Sequence, residues 1–378
     1  MTFSETLRDY HRLEPQPLLN GRYVTKKGVR SYPDISAGAA LLAKEADLSA
    51  DKVSDLTGSA GFVALAALGQ GAREVRVVES SRAALRCARE TFAENGAATL
   101  VAGAPWDVPA ESADLVCLAP QVDKGTTRVL AEFAGAHAAS KRGGVAYFVM
   151  HKDGGAKRYE KRAAALFGNC KVIAKEGGWR LSRALKQVSE AEEVQPSSFE
   201  VAGLSLEAFP GVYAAGKLDP GTAFLLETLD LSPLLGQRVL DLGCGYGLLA
   251  LKASLAGASV TALDDDLLAV RSAYRNAKRY GLDVRVLHSD VDSEIQGETF
   301  DAVLMNPPFH VGKQVAMDVP RAFLAAAHEH VRPGGTLTLV ANRALPYERD
   351  LEQWASFETL AVSKQFKVLR VVRGSNGQ

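Results

Sequence analysis

Cysteine is scarce in this sequence, and the few cysteines do not stand in a metal-binding or disulfide pattern. The chain has 378 residues and 4 cysteines, which lie far apart, without a C-x-x-C pair and without a histidine nearby at metal-ligand spacing. We therefore expect neither a disulfide framework nor a bound metal. A reducing, cytoplasmic setting is the corresponding expectation.

Long apolar runs are missing too. The first residues, MTFSETLRDYHRLEPQ, carry charges where a signal peptide needs an apolar core. No uncharged apolar run approaches the roughly 18 residues of a membrane span. We expect a soluble, unexported monomer without a membrane partner.

The chain also lacks a net charge, which at first argues against a polyanion partner. Lys+Arg and Asp+Glu each number 44, but the acidic, polar stretch 187–198 near the midpoint is typical of a linker. Residues 1–188 hold 27 Lys+Arg against 20 Asp+Glu, whereas residues 189–378 hold 17 against 24. We predict a basic domain at 1–188, a linker at 189–203 and a second domain at 204–378.

The positive charge of the first half is concentrated near its end. Residues 151–188 contain 10 basic and 3 acidic side chains. Such a block can contact phosphate, although a solvated helix face is an equally plain interpretation. The candidate phosphate contacts are Lys157, Arg158, Lys161 and Arg162.

The two halves resemble each other in sequence. Residues 53–61 align with 239–247, and residues 114–120 align with 301–307. Four such matches occur in the same order, at offsets of 185 to 191 residues. We infer a tandem duplication of one domain.

Short apolar runs alternate with amphipathic segments in the second half. Strands are predicted at 238–242, 259–263, 284–288, 300–305 and 336–340, and a helix at 267–278. This alternation predicts an α/β fold of two tandem Rossmann-like domains, each with a doubly wound, mostly parallel sheet. Ligands bind such sheets beyond the carboxyl ends of the strands, so strand ends are where functional residues are expected.

A glycine-rich turn follows the first of these strands. Gly243, Gly245 and Gly247 allow a tight turn and the close approach of a ligand to the backbone. The spacing differs from the dinucleotide pattern G-x-G-x-x-G, and Asp241 stands where a carboxylate can accept a hydrogen bond from a ligand ammonium. Both features favour a nucleoside ligand without pyrophosphate, while a loop that merely turns the chain is the plainer alternative.

Carboxylates also end the next two strands. Asp264 is placed to accept hydrogen bonds from both hydroxyls of a ribose. Asp265 and Asp266 leave the acceptor ambiguous, and a run of acids is also typical of a helix N-terminus. After the third strand, Asp290 and Val291 place a carboxylate or a backbone group where it can bond an adenine amino group.

The tetrapeptide Asn306-Pro307-Pro308-Phe309 is the most specific motif in the chain. Two prolines at a strand end remove backbone donors and leave acceptors. The Asn306 side-chain oxygen and the Pro307 carbonyl can together accept both hydrogens of a planar NH₂ group. Phe309 can stack on the ring that carries the amine.

In this order, these motifs resemble those of class I S-adenosylmethionine-dependent methyltransferases that methylate an amino nitrogen conjugated to a π system. With the duplicated architecture, the chain resembles the RsmC family of bacterial 16S rRNA guanine-N2 methyltransferases. The resemblance covers essentially the whole chain and is strongest from about Leu218 to Val340. It implies methyl transfer from S-adenosylmethionine to the exocyclic N2 amine of a guanine, with 16S rRNA or the small ribosomal subunit as partner.

The resemblance also implies roles for individual residues. The target amine is assigned to Asn306 with Pro307, Pro308 and Phe309. Cofactor contacts are assigned to Asp219 and Thr222 beside the methionine part, Asp241, Gly243 and Gly245 at its amino-acid end, Asp264 or Asp265 at the ribose, Asp290 and Val291 at the adenine, and Asn306.

The first half keeps the pattern of the scaffold and loses the chemical groups. Thr57 and Ser59 replace the first two glycines of the loop, and the segment 119–122, Ala-Pro-Gln-Val, replaces the tetrapeptide. We predict that this half binds no cofactor and contacts RNA through its basic block instead.

Other functions fit parts of the pattern. Methylation of a different amino nitrogen, such as 23S rRNA guanine N2, adenine N6 or a protein glutamine amide, is one alternative. A non-enzymatic RNA-binding assembly factor is a second, and an NAD-dependent dehydrogenase is a distant third. We interpret His328 and His330 as surface residues of a helix.

Overall fold

A computed structural model describes residues 2–18, 21–30, 32–308, 317–345, 347–351, 354 and 356–374. The chain divides into two units. Leu13–Gln195 forms the N-terminal unit, and Pro196–Gln378 together with Met1–Arg12 forms the C-terminal unit. This division differs from the expected one, in which residues 1–188 formed the first domain and 189–203 a linker.

The first helix, α1 (Phe3–His11), accounts for part of this difference. A capping box begins it, because Thr2 and Glu5 each bond the other's backbone amide through their side chains. Phe3, Leu7 and Tyr10 recur at helical spacing, are buried, and join the core of the C-terminal unit. Burial of this apolar face places the first residues with the second half of the chain.

The N-terminal unit begins with a hairpin and continues as alternating strands and helices. In chain order its elements are β1 (Glu14–Leu18), β2 (Gly21–Thr25), α2 (Ala37–Glu45), β3 (Lys52–Leu56), α3 (Phe62–Gly69), β4 (Glu74–Glu79), α4 (Arg82–Asn95), β5 (Thr99–Ala102), β6 (Ala113–Leu118), α5 (Thr126–Ala139), β7 (Ser140–His151), α6 (Ala156–Phe167), β8 (Lys171–Glu176) and β9 (Trp179–Leu185).

The C-terminal unit repeats this plan. Its remaining elements are β10 (Ser197–Val201), β11 (Leu204–Ala208), α7 (Pro220–Thr228), β12 (Arg238–Leu242), α8 (Leu248–Leu255), β13 (Ser259–Asp264), α9 (Leu267–Arg279), β14 (Val284–His288), β15 (Phe300–Met305), α10 (Asp318–His330), β16 (Val331–Asn342), α11 (Tyr347–Leu351), β17 (Ser356–Val362) and β18 (Phe366–Val372). β10 and the turn after it lie in the second part of the expected linker, and β11 follows it.

Each unit contains one seven-stranded sheet, and the two sheets have the same strand order. The orders are β5-β4-β3-β6-β7-β9-β8 and β14-β13-β12-β15-β16-β18-β17. Five neighbouring strands run parallel, and the last two pair antiparallel at one edge. The predicted fold class, two tandem Rossmann-like domains with mostly parallel sheets, is confirmed, although the sequence reading had not found β17 and β18.

Equivalent hydrogen bonds recur in the two units. The Ala64 amide donates to Asp55 Oδ2 at 2.9 Å, and the Ala250 amide donates to Asp241 Oδ2 at 2.9 Å. In each pair the carboxylate ends a central strand and holds the first turn of the next helix. These matching contacts support the inferred duplication at the level of individual atoms.

The order of strands in the second sheet determines where its ligand site lies. β12 pairs with β13 on one side and with β15 on the other, so the direction of the connections reverses at β12. A crevice opens at the carboxyl ends of strands at such a reversal. Asp241 near the end of β12 and Asn306 just after β15 stand on its two sides.

Neither a membrane-spanning helix nor a metal-ligand cluster is found among the residues that the structure describes. None of their helices is long and apolar enough to cross a membrane. No group of three or more His, Cys, Asp and Glu side chains in this part of the chain could hold a metal ion.

Candidate active site

The glycine loop after β12 depends on its glycines for two different reasons. Gly243 has φ of 82° and Gly245 has φ of 55°, in the left-handed region that other residues rarely adopt. A Cβ at Gly243 would lie 2.8 Å from Cε1 of Phe323, whereas a Cβ at Gly245 would project into open space. The loop therefore packs against α10 at the first glycine and leaves room for a ligand at the second.

An open cleft lies in front of this loop. Its cavity volume is about 50 Å³. Its lining combines the loop with residues before α7 and with the residue that follows β15. The lining residues are Tyr213, Ala214, Asp219, Thr222, Asp241, Gly243, Cys244, Gly245, Tyr246, Leu248, Leu249 and Asn306. Six of the residues proposed from sequence thus come together at one place.

Asp241 presents a buried acceptor to the cleft. The residue is 1% exposed, and only its Oδ2 atom is used, by the Ala250 amide. Its Oδ1 atom is buried and has no hydrogen-bond partner among the described residues. Burial raises the pKa of Asp241 to about 7, and the nearby Asp264 carboxylate adds to the rise. A ligand ammonium would supply the missing donor and favour the ionised form.

The structure separates the three acids that follow β13. Asp264 ends the strand, and its two oxygens accept from the Gly245 amide at 2.9 Å and from the Asp266 amide at 2.9 Å. Asp266 caps α9, because its side chain accepts from the Leu268 amide. Burial raises the pKa of Asp264 to about 6. Asp264 is the acid directly bonded to the glycine loop, and Asp266 has the helix-capping role.

Asn306 is held in one orientation by neighbours from α7. Its Nδ2 donates to Asp219 Oδ2 at 2.8 Å and to Thr222 Oγ1 at 2.9 Å. A carboxylate cannot donate, so the nitrogen of the amide must face Asp219 and the oxygen must face away. The Asn306 side-chain oxygen therefore remains available as an acceptor.

The rest of the tetrapeptide is described only in part. Pro307 is buried and Pro308 is exposed. The proposed stacking residue Phe309 lies outside the described residues.

Asp290 and Val291, the two residues proposed to contact the adenine, are not among the residues that line the cleft. Asp290 and Val291 lie in the loop after β14, where Asp290 is 1% exposed and Val291 is 4% exposed. Val291 has φ of 53°, an unusual conformation for a β-branched residue. The loop is packed against α1 and α10, so its geometry depends on distant parts of the chain.

The sequence reading missed one aromatic residue of the cleft. Tyr213 is 69% exposed, and its hydroxyl donates to Asp219 Oδ1 at 2.7 Å. It stands six residues before Asp219 in a Pro-Gly-containing segment, so an aromatic residue close to the proposed cofactor segment was the available signal. The Asp219 carboxylate thus accepts hydrogen bonds from three protein groups, on Tyr213, Thr222 and Asn306.

The corresponding position of the N-terminal unit is filled by its own side chains. Thr57 donates through its amide and its hydroxyl to Asp55 Oδ1, and its hydroxyl also bonds Ser59 at 2.6 Å. Both oxygens of Asp55 are therefore bonded, unlike those of Asp241. Arg30 donates to the carbonyl of Ala119, the residue equivalent to Asn306.

The proposed RNA contacts lie on one helix of the N-terminal unit. Lys157, Arg158 and Lys161 are exposed on α6. Arg162 is partly buried and forms an ion pair with Glu192. Three of the four cations are thus available to a partner, and the fourth is bonded within the unit.

Comparison with known proteins shows the family of this chain. The model of the methyltransferase small domain family matches residues 20–183 and again residues 203–370. A solved structure of the T. thermophilus 16S rRNA N2 G1207 methyltransferase (RsmC), in complex with AdoMet and guanosine, is 35% identical with a TM-score of 0.89, and the match covers 99% of this chain and 100% of that one. The chain belongs to the RsmC family.

Curated members of the RsmC family are similar over shorter stretches. Ribosomal RNA small subunit methyltransferase C of Chromohalobacter salexigens is 38% identical over 229 residues, which is 60% of this chain and 68% of that protein. Its namesake in Hahella chejuensis is 42% identical over 173 residues, which is 45% of this chain and 50% of that protein. The matched stretch thus spans from half to about two thirds of these relatives. The predicted family and the predicted methyltransferase class are confirmed by these matches.

Proposed function

We propose that this protein transfers a methyl group from S-adenosylmethionine to the exocyclic N2 amine of a guanine in 16S rRNA of the small ribosomal subunit. The orientation of Asn306 carries the proposal, because its acceptor oxygen is free beside a cleft that suits a cationic ligand. The similar T. thermophilus protein is named for this reaction and was solved with AdoMet and guanosine.

The residues of the cleft fit the parts of S-adenosylmethionine. When bound, the cofactor supplies a methyl group activated on a sulfonium. The unpartnered Asp241 Oδ1 accepts from the cofactor ammonium, and the open space at Gly245 admits the ligand next to the backbone. Asp264 would accept from the ribose. Asp290 and Val291, in the loop after the neighbouring strand β14, would read the adenine beyond the lining of the cleft. An acidic cleft also attracts a cationic ligand.

Asn306 positions the amine that is methylated. Its side-chain oxygen accepts a hydrogen of the guanine NH₂ group, and the Pro307 carbonyl accepts the other. Asp219 and Thr222 hold the amide so that this oxygen cannot turn away. Fixing the amine in this way orients its nitrogen lone pair and lowers the entropic part of the barrier.

The N-terminal unit serves the RNA and binds no cofactor. Its counterpart of the cleft has an acid with both oxygens bonded, and Arg30 holds the carbonyl at the Asn306 position. Lys157, Arg158 and Lys161 present cations on one face of α6. This division of roles supports the proposed rRNA substrate, because phosphate contacts position a nucleic acid without reading its sequence.

Replacement of Asn306 tests the proposal. We expect Asn306→Ala to lower kcat by at least about a hundredfold, as loss of a key positioning contact does, while the Kd for S-adenosylhomocysteine stays within about twofold. The matched control is Asn342→Ala, which removes the asparagine at the end of the neighbouring strand, bonded to the Ala344 amide. Normal transfer by Asn306→Ala would contradict the proposed role.

The nucleotide is identified by mass spectrometry of methylated RNA. Purified enzyme is offered unmodified 16S rRNA, the assembled small subunit, 23S rRNA and a glutamine-containing protein substrate. Formation of N2-methylguanine in 16S rRNA supports the proposal. Methylation of adenine, of 23S rRNA or of protein, or RNA binding with no transfer to any substrate, would replace it with one of the alternatives above.

A further inference from the structure

A buried group of four ionisable side chains ties the start of the chain to the loop after β14. His11 of α1 approaches Asp292 Oδ1 through Nε2 at 2.7 Å, and its Nδ1 lies 3.5 Å from Asp290 Oδ2. His330 of α10 approaches Asp292 Oδ2 through Nε2 at 3.1 Å. The side chains of the two acids are 1% and 2% exposed, and those of the two histidines 19% and 5%. His330, interpreted from sequence as a surface residue, is thus buried.

The geometry indicates that His330 is protonated, and the acids beside His11 favour its protonated form as well. His330 Nδ1 lies 2.8 Å from the Glu298 carbonyl oxygen, and its Nε2 faces a carboxylate, so both ring nitrogens face acceptors and must donate. His11 bonds Asp292 through Nε2, and its Nδ1 lies at ion-pair distance from Asp290 without a hydrogen bond. Burial lowers the pKa of each histidine, but the facing acids raise it by more, and the net shift is upward. Two cations then balance two buried anions.

The same loop holds a strained residue. Val291, between the two acids, has a left-handed φ of 53°, which costs a β-branched residue free energy and persists only where surrounding contacts impose it. Ser289 Oγ donates to the Val291 carbonyl at 3.0 Å, and Ser293 Oγ accepts from the Asp290 amide at 3.2 Å. The imidazole of His11 reaches the acids on both sides of Val291.

We propose that His11 is a positioning residue for cofactor recognition, because it holds the loop Asp290–Asp292 in the conformation that reads the adenine. This inference rests on the proposed function, in which that loop contacts the cofactor base. Without the imidazole, two buried carboxylates share one remaining cation, and their repulsion moves the loop. Recognition of the base is then lost, whereas Asn306 and the amine site are unaffected.

The test compares two ligands that differ only in the base. S-adenosylhomocysteine carries an adenine amino group, and S-inosylhomocysteine carries an oxygen in its place. We expect His11→Ala to weaken S-adenosylhomocysteine about tenfold, as loss of one charged hydrogen-bonding contact does, and S-inosylhomocysteine by less than about twofold. kcat at saturating cofactor should stay near that of the unaltered enzyme. His11→Gln retains one donor and should give an intermediate loss.

Ser4→Ala is the matched control on the same helix. It removes the 2.6 Å hydrogen bond from Ser4 to Glu329 of α10 without touching the acids. We expect it to leave both ligand affinities unchanged. Equal weakening of the two ligands by His11→Ala and His11→Gln, or unchanged affinity for both, would overturn the proposal. Failure of the proposed function is distinct, because the unaltered enzyme would then bind neither ligand or methylate no 16S rRNA.

Discussion

At the scale of single residues, the two halves of the chain differ in whether a buried acid is left with an open acceptor. Asp55 and Asp241 occupy equivalent strand ends, and both are 1% exposed. Thr57 supplies two bonds to Asp55, whereas Gly243 offers no side chain to Asp241. An unpaired buried acceptor costs stability unless a ligand bonds it. This glycine-to-threonine difference therefore leaves an open acceptor in one unit and a bonded one in the other.

Asp241→Asn is predicted to weaken S-adenosylmethionine binding by about ten- to a hundredfold, the effect of a charge-assisted hydrogen bond worth about 1.5–3 kcal/mol. The amide can still accept from the Ala250 amide, so the fold should be retained. Isothermal titration calorimetry measures the change. Asp55→Asn is the matched control, because its carboxylate is bonded on both oxygens. Equal binding by the Asp241→Asn variant and the unaltered protein would remove Asp241 from the site.

The same titration has a predicted pH dependence. Burial raises the pKa of Asp241 to about 7, and only the carboxylate pairs with an ammonium. Affinity should therefore rise as pH increases toward 7, by up to about tenfold per unit. The pKa of Asp241 in the folded protein exceeds its pKa of about 3.9 in the unfolded chain. Without ligand, protonated Asp241 therefore stabilises the fold at low pH, and this stabilisation is lost as pH rises through 7. Asp241→Asn should leave only the dependence below about pH 6 that comes from Asp264.

At the scale of elements, the N-terminus of α7 fixes the orientation of the Asn306 amide. Asp219 caps this helix by accepting from the Thr222 amide at 2.8 Å, and the same oxygen and the Thr222 hydroxyl hold Asn306. Asp219 and Thr222 are three residues apart, about one helical turn, so both face Asn306 at the end of β15. A capping acid thus also orients the amide of Asn306, whereas the family resemblance assigns Asp219 to cofactor binding.

Asp219→Ala separates these two roles. If Asp219 orients Asn306, kcat should fall by about ten- to a hundredfold while the Kd for S-adenosylhomocysteine changes by less than about twofold. Loss of the cap should also lower stability by about 1 kcal/mol, measured by chemical denaturation. Tyr213→Phe, which removes only the 2.7 Å bond to Asp219 Oδ1, provides a milder matched variant. A large rise in Kd with normal kcat would support direct cofactor binding by Asp219 instead.

At the scale of the whole molecule, zero net charge hides two sequence halves of opposite charge. The first half has seven more basic than acidic residues, and the second half has seven more acidic than basic ones. Three cations on α6 face solvent, and two acids of the second unit, Asp219 and Asp241, line the cleft. The basic half thus carries the candidate phosphate contacts, and the acidic half carries the candidate cofactor cleft.

Removal of the exposed α6 cations tests this division. The triple variant Lys157→Ala, Arg158→Ala, Lys161→Ala should weaken RNA binding and lower the slope of log K against log salt by about 2 to 3, since each phosphate contact contributes about 0.7 to 0.9. Filter binding between low and high salt measures both. A matched triple variant replaces cations that are ion-paired elsewhere in the unit: Lys44, Lys52 and Arg73. Equal effects of the two triples would mean that α6 is only a solvated face.

The sequence by itself determined the fold class, the duplication and the order of the functional segments. Strands at 238–242, 284–288 and 300–305 match β12, β14 and β15, because local hydrophobic periodicity and turn residues specify parallel strands and their ends. Those ends meet at one edge of the sheet, so Asp241, Gly245 and Asn306 could be assigned together.

Only the tertiary structure decided which partner each of these side chains has. The bonds from Asn306 to Asp219 span 87 residues, and those from His11 to Asp292 span 281. No local pattern encodes such pairings, since they arise when distant elements pack. The placement of α1 in the C-terminal unit, the burial of His330 and the open acceptor of Asp241 all follow from that packing.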